Sequence, residues 1–328
     1  MKRPGEFDLI AKYFAPLAAG MPGALGLGDD AAIIAPAPGR EIVTTVDALT
    51  EGVHFLPDDP PGDIARKMLR CNLSDLAAMG ARPIGYLMTT ALNDRVDEAW
   101  LAAFVAGLAQ DQREFGIGLL GGDTTSTPGL LSLTVTAFGD VPAGKALRRN
   151  GSRAGDLVMV SGTIGDGALG LLASRGELGR LDKQDRDALI ERYRLPQPRL
   201  KLGVALLERN LATAALDVSD GLVADLGHIC EQSHLAATIH SAKVPLSDAA
   251  RRVVAADPAR LAVCLTGGDD YELLFTIAPD KREAVQKLTH ELDLPITEIG
   301  VMAAGQGVRV LDAPGRPMTF ERAGWTHP

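Results

Sequence analysis

Aromatic residues are scarce in this sequence: Phe, Trp and Tyr make up 4% of its 328 residues, so any core must be filled by Ala, Val, Leu and Ile. Cysteine is nearly absent. Cys71, Cys230 and Cys264 are odd in number and far apart. They fit neither a zinc-ligand spacing nor a disulfide framework and read as small buried side chains in a reducing compartment. No basic run occurs and the net charge is −9, which argues against a nucleic-acid surface. No window approaches the ~20 apolar residues of a membrane span. The opening Met1-Lys2-Arg3-Pro4-Gly5-Glu6 has no apolar stretch behind its charges, so it does not read as a signal peptide. A cytoplasmic location is expected.

What is present suits a globular protein: 46% hydrophobic and 23% charged residues, with 36 glycines and 20 prolines for tight turns. The length allows two domains with a core each. Strand and helix patterns alternate. Residues 41–49 read as a strand with Ile42, Thr44 and Val46 on one face and Val43, Thr45 and Asp47 on the other. Residues 63–79 and 97–115 read as helices stopped by Gly80 with Pro83 and by Gly116. A short strand, 117–120, runs into Gly121-Gly122-Asp123, and 131–138 alternates again. The polar, glycine-bearing stretch from Arg148 to Gly155 marks a boundary between domains 1–150 and 151–328. Beyond it, 157–161, 214–218, 273–277 and 307–311 read as strands and 222–231 as a helix. Each half shows what looks like a strand ending in Gly-Gly-Asp, at 121–123 and 267–269.

Two glycine-rich loops are decoys. Gly139 to Lys145 imitates a P-loop, but Ala146 stands where a hydroxyl should bind Mg²⁺ and residues 147–155 cannot form the phosphate-binding helix. Gly165-Asp166-Gly167-Ala168-Leu169-Gly170 imitates a dinucleotide fingerprint, yet the next segment, 180–194, is polar and helical rather than a second buried strand. It reads as a glycine turn packing a helix closely on its strand.

The chemistry lies in carboxylates: Asp29, Asp30, Asp47, Asp75, Asp123, Asp217, Asp220, Asp269 and Asp270. Each alone is an ordinary turn former or cap. Together they read as acidic groups gathered at strand ends. Two carboxylates ~4 Å apart repel by roughly 4 kcal/mol at an effective dielectric of ~20, so such a cluster requires cations. Hard carboxylates with no His or Cys nearby select Mg²⁺, and Mg²⁺ beside glycine-exposed amides suits a polyphosphate.

Five motifs occur in order over the whole chain: Gly28-Asp29-Asp30, Asn72 to Ala81, Gly121-Gly122-Asp123-Thr124, Asp217-Val218-Ser219-Asp220-Gly221 and Gly267 to Leu273. With Gly5-Glu6-Phe7 and Gly52-Val53-His54-Phe55, the set closely resembles the thiamine-monophosphate kinase family of the aminoimidazole-ribonucleotide-synthetase-like ATP-binding superfamily. The resemblance implies an α/β (α+β) fold of two domains. The N-terminal one would hold a mixed sheet with helices, bind metal and ATP, and pair into a homodimer. The C-terminal α/β domain would close over nucleotide and substrate.

It also implies transfer of the γ-phosphoryl of ATP to thiamine monophosphate, with several Mg²⁺ ions and ATP as co-substrate. By that resemblance Asp30, Thr45, the carbonyl of Val46, Asp47, Asp75, Asp123 and Asp217 are metal ligands, and Asp220 holds a further Mg²⁺ on the nucleotide. Gly121, Gly122, Arg149 and Ser219 lie on the ATP side; His54, Asp269 and Trp325 lie on the substrate side. No general base is expected, because the accepting phosphate oxygen is already ionised. Two departures stand out: Asp269 replaces a more usual Glu, and Val218 a common Leu. A related selenophosphate synthetase or purine-pathway cyclising enzyme, and a non-catalytic Mg²⁺–nucleotide sensor, are the rival readings.

Overall fold

The computed structural model describes residues 6–325, so Gly5 of the opening motif lies outside the described residues. Two units emerge by packing: residues 6–76 with 81–144, and residues 77–80 with 145–325.

The first unit begins with a helical turn, α1 (Glu6–Leu9), followed by irregular turns. Its sheet contains β1 (Arg40–Thr50), β2 (Arg82–Leu92), β3 (Gly118–Ser126) and β4 (Ser132–Pro142) in the order β1-β4-β2-β3. β4 runs antiparallel to β1 and β2, whereas β2 and β3 are parallel. A parallel pair needs a crossover, supplied by α3 (Glu98–Phe115). Asp97 caps α3 by accepting from Trp100 N at 2.8 Å, and Gly116 ends it in a left-handed conformation that L side chains avoid. The other helix, α2 (Pro61–Ala78), buries Ile64, Met68, Cys71 and Leu76. Arg70 of α2 and Asp111 of α3 are both buried and form an ion pair at 2.6 Å.

The second unit holds β5 (Leu157–Ser161), β6 (Ala212–Asp217), β7 (Ala236–His240), β8 (Leu273–Ile277), β9 (Ile296–Ala303) and β10 (Gly307–Leu311). They form one mixed sheet in the order β10-β7-β9-β5-β8-β6. Its helices are α4 (Asp166–Ser174), α5 (Lys183–Arg194), α6 (Leu200–Glu208), α7 (Leu222–Ser233), α8 (Asp248–Ala256), α9 (Arg260–Thr266) and α10 (Arg282–Glu291). The alternation of β5 and β8 splits the core. Val158, Val160 and Leu274 bury with Leu222, Leu226 and Ile229 of α7. Met159 and Phe275 bury with Leu202 and Leu206 of α6 and Val285 and Leu288 of α10. All three cysteines are buried free thiols.

Several expectations change. Gly121-Gly122-Asp123 lies inside β3 rather than beyond it, and Asp47 lies within β1 instead of at its end, while Asp75 lies in α2, within the helix read from sequence. The second Gly-Gly-Asp follows helix α9, so the repeat between halves is one of composition, not structure. Both decoy readings hold: residues 139–145 are the end of β4 and a turn, with no helix after them. Gly165 caps α4 at φ 90°, and a Cβ there would lie 2.4 Å from that of Cys264. Among the described residues, no helix is long and apolar enough to cross a membrane.

Candidate active site

In the first unit the strand alternation read from sequence decides which side chains meet. Along β1, Thr45, Asp47 and Leu49 turn towards the covered face while Val46 is 60% exposed. Asp75 projects from α2 towards this row, and Thr45 Oγ1 donates to Asp75 Oδ2 at 2.5 Å. Asp47 shares a hydrogen bond with Asp75. Burial first, then the Asp75 charge and that shared bond, push the Asp47 carboxyl up from 3.8 to about 7. Two carboxylates in contact with a hydroxyl form an all-oxygen donor set, which fits Mg²⁺ by hardness.

A second acidic group lines a cavity of about 540 Å³ with Asp29, Asp30, Thr89, Gly121, Gly122 and Asp123 on its wall. Register separates it from the first. Asp47 aligns with Val135, and Val135 with Met88, both buried, whereas Asp123 aligns with the exposed Thr89. Neighbours in register share a face, so Asp47 and Asp123 point to opposite faces of the sheet. Gly122 is required by approach: a Cβ would stand 1.9 Å from the Met88 carbonyl oxygen, so any side chain would force β3 away from β2. His54 sits in the turn after β1. Its Nδ1 accepts from Thr50 N at 3.0 Å, which places the ring proton of neutral His54 on Nε2. The turn is held by buried Glu51, which pairs with Arg95 and accepts from Leu131 N at 3.3 Å.

In the second unit Asp217 ends β6 and is 5% exposed. The turn after it, Val218 to Gly221, enters α7. Asp225, one turn into α7, accepts from the amides of Asp220 at 3.1 Å and Gly221 at 3.0 Å. Asp225, and not Asp220, therefore satisfies the start of this helix. Burial first, then the Asp220 charge, lift the Asp225 carboxyl to about 7 against those two amides. Ligand atoms of Asp220, Asp225 and His228 all lie within 4.8 Å of one another. A histidine thus stands beside the acids after all; it was hidden because it lies eight residues past Asp220, on a helix read only for its apolar face. The i, i+3 spacing of Asp225 and His228 was the available signal.

Asp269 and Trp325 meet the same turn. Asp269 N donates to Ser219 O at 2.9 Å and Trp325 N to Asp220 O at 2.9 Å, with the Trp325 residue 52% exposed. Arg149 is exposed on the coil before β5, and its carbonyl accepts from Ser233 Oγ at 3.4 Å. The structure therefore brings together Thr45, Asp47 and Asp75; separately Asp29, Asp30, Gly121, Gly122 and Asp123; and, in the second unit, Ser219, Asp220, Asp269 and Trp325.

Both halves match family profiles: "AIR synthase related protein, N-terminal domain" over residues 28–141 and "AIR synthase related protein, C-terminal domain" over residues 153–313. The thiamine-monophosphate kinase of Caulobacter vibrioides is 42% identical over 327 residues, covering 99% of this chain and 91% of the relative. The chain belongs to the thiamine-monophosphate kinase family. It is an enzyme of that class, with the two-domain α/β fold of the AIR-synthase-related proteins. The solved thiamine-monophosphate kinase of Stenotrophomonas maltophilia superposes with a TM-score of 0.84 at 45% identity, covering 94% of this chain and 97% of that one. A complex described as "AaThiL complexed with AMPPCP and TMP" superposes at 0.78 with 30% identity, covering 98% and 97% of the two chains.

Proposed function

We propose that this protein transfers the γ-phosphoryl group of ATP to thiamine monophosphate, giving thiamine diphosphate, by direct in-line displacement assisted by several Mg²⁺ ions. Family membership supports the substrates, since a relative has been solved with AMPPCP and TMP. The observation that carries the metal-assisted part is the Asp47–Asp75 contact. It is a like-charge pair in which burial and the Asp75 charge push the Asp47 carboxyl up to about 7, so a cation held between the two would relieve their repulsion.

The ligands assigned are Thr45, the carbonyl of Val46, Asp47 and Asp75 on one face, Asp30 and Asp123 on the other, and Asp217 and Asp220 in the second unit. When bound, the ions would neutralise the polyphosphate and polarise the transferred phosphoryl group. The chain's own groups orient the reactants. Gly121 and Gly122 offer close backbone, Ser219 a hydroxyl and Arg149 a guanidinium fork for phosphate. His54, with Nδ1 already engaged, presents Nε2–H as a donor. Asp269 suits the cationic thiazolium, and the exposed face of Trp325 can stack on it. The acceptor oxygen is ionised at neutral pH, so positioning and charge neutralisation suffice without a general base.

We assign metal binding and chain pairing to residues 1–150 and closure over nucleotide and substrate to residues 151–328, in a cytoplasmic homodimer. Incubation with Mg²⁺, ATP and thiamine monophosphate tests the whole reading. Thiamine diphosphate should form, and Asp30→Asn and Asp123→Asn should abolish it. No product, or turnover that survives both substitutions, contradicts it.

A further inference from the structure

The glycine turn that imitates a dinucleotide fingerprint is already filled by the protein itself. Asp270 is 1% exposed, and its carboxylate accepts from Gly165 N at 2.7 Å and Gly167 N at 3.0 Å, at the N-terminus of α4. Amides and helix dipole there create a seat for an anion. Gly167 also lets the neighbouring backbone approach, because a Cβ on it would fall 2.3 Å from the Asp269 carbonyl oxygen. Two residues on, the buried Glu272 accepts from Ser161 Oγ at 2.6 Å, Arg192 at 2.9 Å and Arg199 Nε at 2.6 Å.

Between these anchors the backbone is strained. Asp269 and Tyr271 adopt φ values of 72° and 52°, a region costly for residues with a Cβ. Such a conformation persists only where its surroundings over-determine it. Three backbone bonds stitch the segment to the nucleotide-side turn: Val218 N to Glu272 O at 2.8 Å, Tyr271 N to Val218 O at 2.7 Å and Asp269 N to Ser219 O at 2.9 Å. A Cβ on Gly268 would come within 2.2 Å of Ser219 O, which keeps the two turns in direct contact.

We propose that Asp270 is a positioning residue for the thiamine-monophosphate side: seated on the Gly165 and Gly167 amides, its carboxylate fixes the strained turn that aims Asp269 at the substrate. The assignment rests on the kinase reading above. Asp217 is paired with Leu273 across β6 and β8, whereas Asp269 adjoins the anchor directly, so loss of the anchor disturbs the acceptor side first.

The test is steady-state kinetics of purified full-length Asp270→Ala and Asp270→Asn beside the wild type, with melting curves and with sodium formate added as a small carboxylate. Loss of the two hydrogen bonds from the turn amides should raise KM for thiamine monophosphate roughly tenfold or more in Asp270→Ala, with KM for ATP changed less. Asp270→Asn, which keeps one acceptor oxygen, should fall between, and formate should lower the raised KM in Asp270→Ala and leave the wild type unchanged. Equal rises in both KM values, or no response to formate in a variant that melts cooperatively, overturn the proposal. If Asp270→Ala does not fold, the same split in Asp270→Asn decides. A wild type that makes no thiamine diphosphate overturns the kinase reading instead, and is distinguished by that control.

Discussion

Buried negative charge is treated in opposite ways at Glu272 of the second unit and at Asp47 of the first. Glu272 accepts from a serine and two arginines. That carboxylate is balanced by the protein and holds a turn in place. In the first unit, Asp47 meets Asp75, whose carboxylate accepts from the Thr45 hydroxyl, and the Asp47 charge is suppressed rather than compensated. One arrangement is complete as it stands; the other is the one we propose a cation completes. The number of acidic residues in a motif does not separate structural from metal-binding groups. Their partners do.

The largest effect should come from the self-balanced side. Glu272→Ala leaves Arg192 and Arg199 facing an empty buried position, and breaking such a pair should lower unfolding free energy by about 3–5 kcal/mol in urea denaturation. Mg²⁺ should not restore it. Asp75→Asn makes the opposite contrast. It removes a proposed ligand and the repulsion together, so turnover should fall roughly 10²–10³-fold, as for loss of a strong electrostatic contact, while the metal-free melting temperature holds or rises.

A pH series sharpens the comparison further. Because folding raises the Asp47 carboxyl from 3.8 to about 7, its contribution to stability is complete below about pH 4 and is lost as pH climbs through about 7. Metal-free protein should therefore melt lower at pH 8 than at pH 5. The slope should be shallower in Asp47→Asn, and the stabilisation by Mg²⁺ larger at pH 8. Trp325→Ala should matter least: a several-fold rise in KM for thiamine monophosphate with an unchanged melting temperature, since the ring is half exposed and the residue is fixed through its backbone.

Much of this was legible in the residues. The alternation from Ile42 to Leu49 gave both the strand and the face on which Thr45 and Asp47 meet Asp75, because a side-chain period of two leaves no freedom. The segments 157–161, 273–277 and 307–311 coincide with β5, β8 and β10. β2 was hidden because Gly80 and Pro83 read as a helix stop. The register shifts between Pro83 and Gly85, which is how the sheet admits them. Asp123 was expected to join Asp47, but one residue of register sends it to the other face. The partners of Asp270 and Glu272 were obscured for a different reason: they are amides, a serine and arginines far along the chain, contacts that no local pattern announces.

Proton release on Mg²⁺ binding tests the central claim most directly. A cation entering the Asp47–Asp75 pair must displace the proton that Asp47 retains. Calorimetric titration of wild type and Asp47→Asn with MgCl₂ near pH 6.5, in buffers of differing ionisation enthalpy, should show clear proton release in the wild type and a smaller release in the variant. Equal release from both would mean that this pair is not where the protein needs its metal.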